Sequence, residues 1–214
     1  MRLGGQIFKP WHTADEWVQA VNEAGYRAAY CPLKPGAEPV TVRAYEQAAQ
    51  SADIVIAEVG AWSNPLSPDA ATRKAALEKC KQSLALADEI GARCCVNIAG
   101  SRGEKWDGPH PADLTEETFA MIVEAVREII DAVKPKRTFY TLETMPWMYP
   151  DSTDSYLRLM QAIGRQHCAA HLDPVNLICS PQRYFSNGAL LSECFARLAA
   201  CRSEVTHRRE RRDR

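Results

Sequence analysis

The apolar positions of this chain change period as it proceeds. Nearly continuous apolar runs occupy Leu3–Phe8, Tyr26–Leu33, Asp53–Val59 and Arg93–Ile98; two more lie within Thr138–Trp147, up to Glu143, and within Ala170–Asn176, up to Asp173. Between them, apolar residues recur at about every third or fourth position, the spacing of one helix face. The runs read as strands and the intervening stretches as helices. Asp53–Val59 (DIVIAEV) is apolar at consecutive positions, as in a strand covered on both faces. Thr13-Ala-Asp-Glu16 is a capping box that opens a helix carrying Trp17, Val18, Val21 and Ala24, and Gly25 stops it. A second helix is expected over about Thr41–Ala52. A third starts at Ser67-Pro68-Asp69, with Ser67 as cap, and has Leu77, Cys80, Leu84 and Ala87 inside. Thr115-Glu-Glu opens a fourth, with the stripe Phe119, Ile122, Val126, Ile129 and Val133. A fifth runs from about Thr153 to Ile163, ended by Gly164, and a last from near Ala189 into Leu198.

Strand followed by helix, repeated six times, predicts a parallel sheet covered by helices and hence an α/β fold. A doubly wound nucleotide-binding sheet would place a glycine-rich turn after the first strand. Here Gly4-Gly5 lies inside the strand and no GxGxxG follows. A (β/α)8 TIM barrel takes about 250 residues, or about 31 per unit. The expectation is therefore a TIM-barrel type fold over residues 1–201 with about six βα units present, two fewer than a closed barrel needs.

Two stretches bear on chemistry. Each delivers one carboxylate, Glu143 or Asp173, at the end of a strand and just before a proline turn, Met145-Pro146 or Asp173-Pro174. That is where an α/β barrel carries its reactive groups, and two carboxylates one βα unit apart suggest a shared divalent-metal site. The other reading makes each an ordinary turn acid that caps its neighbour.

Composition narrows the setting. The 46% hydrophobic and 25% charged residues are those of an ordinary globular protein. No apolar run approaches a membrane span, and the N-terminus has no signal-peptide apolar region, so a cytoplasmic protein without membrane association is expected. The eight cysteines form no CxxC pair, which reads as reduced structural thiols rather than a disulfide framework or zinc cluster. The net charge of −1 is uneven. Residues 202–214 hold six arginines against three acids, leaving 20 basic and 24 acidic residues elsewhere, a net of −4. The body does not look like a nucleic-acid binder. The basic 202–214 segment reads as a disordered tail, with an RNA- or DNA-contacting arm as the alternative.

On CVNIAGSRG (95–103), WDGPHP (106–111), TFYTLETMPWMYPDS (138–152) and HLDPVNLICSPQRYF (171–185), the sequence resembles the sugar phosphate isomerase/epimerase family. These are the xylose-isomerase-like, AP-endonuclease-2-type TIM barrels, and the resemblance covers roughly residues 1–198. It implies a (β/α)8 barrel with one divalent cation (Mn2+, Mg2+, Co2+ or Zn2+) at its C-terminal mouth, acting on a small carbohydrate. The family's metal ligands are Glu, Asp, His and Glu from its last four strands. Glu143 matches the first, which would also make it catalytic, and Asp173 the second. The third and fourth have no match, because His207 is the only later histidine and sits in the arginine-rich segment. In the epimerase branch a glutamate six residues after the first ligand and a histidine three after the Asp contact substrate; this chain has Tyr149 and Asn176 there. Asn97, Arg102, Trp147, His171 and Arg183, near strand ends, are candidates for binding substrate hydroxyls or a phosphate, as is Asn176. His171 shares its side of the strand with Asp173. Trp62, Trp106 and Trp147 either pack loops or stack on sugar, and His12 reads as a surface residue.

The implied activity is isomerisation or epimerisation of a sugar, sugar phosphate or polyol ketone. A hard divalent ion polarises the carbonyl while a carboxylate moves the neighbouring proton. A dehydratase of the same fold and an inactive barrel fragment are the alternatives. A DNA-repair endonuclease is disfavoured by five histidines in all and the −4 body. The change of composition after Leu198 suggests a frameshift or early stop that removes the last two units. Open barrel edges would then favour self-association.

Overall fold

The structure, a computed structural model, describes residues 2–210, with side chains through 199. Seven strands and eight helices are present among them: β1 (Gly4–Gly5), α1 (Ala14–Glu23), β2 (Ala28–Ala29), α2 (Pro39–Ser51), β3 (Val55–Ile56), β4 (Glu58–Gly60), α3 (Ala70–Ile90), β5 (Cys94–Asn97), α4 (Glu116–Val133), β6 (Tyr140–Glu143), α5 (Thr153–Ile163), β7 (Cys168–His171), α6 (Pro174–Leu177), α7 (Pro181–Phe185) and α8 (Asn187–Glu210). All ladders are parallel, in the orders β1-β2-β3 and β4-β5-β6-β7. The two ladders share one physical strand. Only Ala57 separates β3 from β4; its N–H donates to Ala29 O at 2.8 Å, and its carbonyl accepts from Cys94 N at 3.3 Å. The result is the six-stranded parallel sheet expected from the hydrophobic pattern, two strands short of a closed barrel.

Side chains alternate across each strand. On β6, Tyr140 and Leu142 point outward into the main core with Cys80 and Leu84 of α3, Ile122, Val126 and Ile129 of α4, and Leu159 and Ile163 of α5. Thr141 and Glu143, between and after them, face the other way, so this outward packing sets which residues line the interior. A smaller core of Tyr156, Leu177, Cys194 and Leu198 holds α8 against α5.

The local signals hold at most element ends. The Thr13 capping box forms, with Glu16 N donating to Thr13 Oγ1 at 3.2 Å. Thr115 caps α4, and Gly164 ends α5 in the left-handed conformation. Two expectations need correction. The third helix is capped by Asp69, not Ser67: its carboxylate accepts from Thr72 N at 2.7 Å, while Ser67 Oγ accepts from Asp69 N. An ionised carboxylate suits the positive helix end better than a hydroxyl. The first strand pairs only over Gly4–Gly5, because it lies at the sheet edge and Leu3 and Phe8 stay exposed. Helix α8 has a backbone span to Glu210, beyond the expected end at Leu198; the side chains of the 202–214 segment lie outside the described residues. Among the described residues, no helix is long and apolar enough to cross a membrane.

Candidate functional site

A cavity of about 740 Å3 opens at the C-terminal ends of the strands, lined by Gln6, Tyr30, Lys34, Glu58, Trp62, Glu143, His171 and Asp173 among others. Each site residue has a structural reason for its place. Glu143 and His171 are register partners at the ends of β6 and β7. The buried Tyr156 on α5 accepts a hydrogen bond from His171 N at 2.9 Å and fixes that strand end. Thr144 ties the two following loops together: its hydroxyl donates to Asp173 O at 2.8 Å and accepts from Asp173 N at 3.1 Å. Gly60, at the end of β4, lets Trp62 fold back over the strand, since a Cβ there would lie 2.4 Å from the indole nitrogen.

His171 sits between two carboxylates. Its Nε2 is 2.9 Å from Glu58 Oε2, and its Nδ1 is 3.6 Å from Glu143 Oε2 and has no hydrogen-bond partner. Asp173 caps the short α6 through Val175 N at 3.0 Å. The Asn176 amide nitrogen lies 3.2 Å from Asp173 Oδ2 and 3.5 Å from Glu143 Oε1. A donor group thus stands between the two carboxylates, where a shared cation would find oxygen ligands on both sides.

The same burial and charges shift the acid–base properties. Burial pushes the Glu143 carboxyl up, His171 partly opposes this, and Asp173 and Glu58 add to it. Burial by itself lowers the His171 imidazole, but the hydrogen bond and charge of Glu58, with the charges of Glu143 and Asp173, together raise it above its ordinary 6.5. A histidine raised on folding stabilises the fold below its unfolded value, and loses that contribution as pH rises through the folded one. In an NMR titration of the metal-free protein, the His171 ring is expected to titrate above 6.5, and Glu58→Gln to bring the midpoint down. An unchanged midpoint in the variant would contradict the coupling.

The remaining candidates lie elsewhere. Asn97 is fully buried, exchanging hydrogen bonds with the backbone of Ser63, and holds the loop after β4. Arg102 donates to Thr118 Oγ1 at the start of α4 and pairs with Glu117. Trp147 donates to Asp107 O, and Arg183 donates to Leu177 O. None of these four lines the cavity. Sequence reading missed Glu58 and Tyr30. Glu58 did leave a signal, as the single charge between Ile54 and Val59 in a strand otherwise apolar.

A family model described as xylose isomerase-like TIM barrel matches residues 18–201. Among solved structures, D-psicose 3-epimerase from Clostridium cellulolyticum H10 superimposes with a TM-score of 0.68 at 15% identity, over 92% of this chain and 71% of that one. An L-ribulose 3-epimerase gives 0.65 at 16% identity, over 84% and 63%. The probable 3-DHS dehydratase AsbF from Bacillus anthracis gives 0.67 at 18% identity, over 94% and 70%. The chain thus spans 63–71% of the length of these structures, and identities this low speak to fold alone. No curated protein matches it.

Proposed function

This chain belongs to the xylose isomerase-like TIM-barrel family, and from that premise we propose that it moves a proton beside the carbonyl of a sugar or polyol ketone, as an isomerase or epimerase dependent on a divalent metal. The observation that carries the reading is the pair Glu143 and His171 at adjoining strand ends, with Asp173 alongside and all three on one cavity. Glu143 and Asp173 would hold the cation, and the donor set fits: the two carboxylates converge on the one amide nitrogen of Asn176. When bound, the cation would polarise the substrate carbonyl and offset charge developing on its oxygen.

The chain's own residues supply the rest. Glu143, its carboxylate made more basic by burial, takes the proton from the carbon beside the carbonyl. The Nδ1 of His171 faces Glu143 and can hand a proton to it or receive one, while Glu58 at Nε2 keeps the ring oriented. Trp62 and Tyr30 line the cavity wall and offer faces for a sugar ring. The family's third and fourth metal ligands have no counterpart among the described residues, which leaves Glu143 and Asp173 as the pair that would hold the cation. A cytoplasmic setting suits the seven described cysteines, none of them in a disulfide.

The test is solvent exchange. Ketoses and polyol ketones are incubated with the chain in D2O, with and without Mn2+, Mg2+ or Co2+. Deuterium is expected at the carbon beside the carbonyl only with metal present. No label in any substrate, under conditions where calorimetry shows metal bound, would overturn the reading. Label accompanied by an unsaturated ketone would favour the dehydratase alternative that AsbF's fold suggests.

A further inference from the structure

We propose that Glu58, Cys94 and His171 form a second metal site, for a borderline-soft divalent cation such as Zn2+, adjoining the Glu143–Asp173 pair; when filled, it takes up the His171 and Glu58 groups that the reaction above assigns to proton handling. One ligand atom from each of the three lies within 4.8 Å of both others. The donors come from three strands. Glu58 and Cys94 are register partners on β4 and β5, and His171 reaches across from β7 with Nε2 2.9 Å from Glu58 Oε2. Backbone ladders rather than loops therefore position all three, which is the support a metal site requires.

The chemistry of the set is specific. Thiolate, imidazole and carboxylate are the ligands zinc takes when three come from protein and a fourth position stays open to water. A sulfur donor disfavours Mg2+, Ca2+ and Mn2+, which suit all-oxygen sites. Glu58 and His171 line the cavity, giving an ion a path from solvent and room for that water. The second ring nitrogen completes the case. Nδ1 of His171 is buried, without a hydrogen-bond partner, and faces Glu143 Oε2 at 3.6 Å. With Nε2 on the ion the proton stays on Nδ1, and Glu143 is placed to accept it. Such a carboxylate behind the imidazole fixes the tautomer in many metal sites. On binding, the Cys94 thiol and the hydrogen bond between His171 Nε2 and Glu58 each give up a proton, by way of solvent, as the sulfur–metal and nitrogen–metal bonds form. The Glu58–His171 hydrogen bond gives way to two bonds to the ion.

Cobalt(II) tests this directly, because a sulfur ligand produces a thiolate-to-metal charge-transfer band in the near ultraviolet. The band is expected when Co2+ is added to the full, reduced chain, saturating near one equivalent and disappearing when Zn2+ is added. It is expected to vanish in Cys94→Ser and to persist in Asp173→Asn. Zinc affinity, measured against a chromophoric chelator, is expected to fall in Cys94→Ser by at least the ~10–100-fold that loss of even an outer partner costs. Glu58→Gln should weaken zinc similarly, and it serves as the readout if Cys94→Ser folds poorly. Absence of the band in the unmodified chain, its survival in Cys94→Ser, or its loss in Asp173→Asn would overturn the proposal.

Discussion

Glu143→Gln is expected to slow metal-dependent deuterium exchange beside a ketose carbonyl by ~10²–10⁴-fold, the usual contribution of a positioned acid–base group. The carboxyl of Glu143 is half-buried at the end of β6, and burial raises its pKa toward the operating range of a general base. Glutamine keeps the volume and leaves an oxygen for Asn176, whose amide is 3.5 Å from Glu143 Oε1, so the melting temperature should barely move. The variant cannot take a proton. Asp173→Asn is expected to behave differently, raising the metal concentration needed for exchange while leaving some rate at saturation. If Glu143→Gln exchanges as fast as the unmodified protein, the proton-transfer assignment fails. If both variants lose rate only through metal affinity, Glu143 is a ligand and not the base.

The second large effect concerns association. Among the described residues, β1 and β7 close the strand order at either end, each with one side unpaired. Leu3 and Phe8 flank β1 with 71% and 85% of their surface exposed, and Phe185 of α7 is 84% exposed. Unpaired strand edges template pairing with other chains, and contiguous exposed apolar surface drives association. Sedimentation velocity across a concentration series is expected to show dimers and larger species. Phe8→Lys together with Phe185→Lys should shift the distribution toward monomer, since charge at an edge opposes pairing. A concentration-independent monomer with a sharp two-state melt would show that these edges are already protected.

The fold was legible in the sequence to the extent that local physics decided it. The switch between continuous apolar runs and three-to-four spacing placed six strands and the major helices, because each element must bury one face and its period follows from its own geometry. Caps at Thr13, Thr115 and Gly164 act within one turn, so they were readable too. The cap of α3 was misplaced where Ser67 and Asp69 competed at neighbouring positions, a choice that local pattern does not resolve. The strand-end position of Glu143 was likewise visible, since it sits between an apolar run and a proline turn; Asp173 instead lies two residues past β7 and caps α6.

What the sequence could not determine is which residues meet across the barrel. His171 and Glu58 are 113 positions apart, and their 2.9 Å contact depends on the register of four strands and on Tyr140 and Leu142 packing outward. Asn97 shows the converse: it stands at a strand end in a promising motif, yet it is buried against Ser63 and lines no cavity. Period and capping are properties of a few neighbouring residues. Side-chain convergence is a property of sheet curvature and register, so Cys94, taken from sequence as a structural thiol, lies beside a carboxylate and an imidazole only once the strands have closed around it.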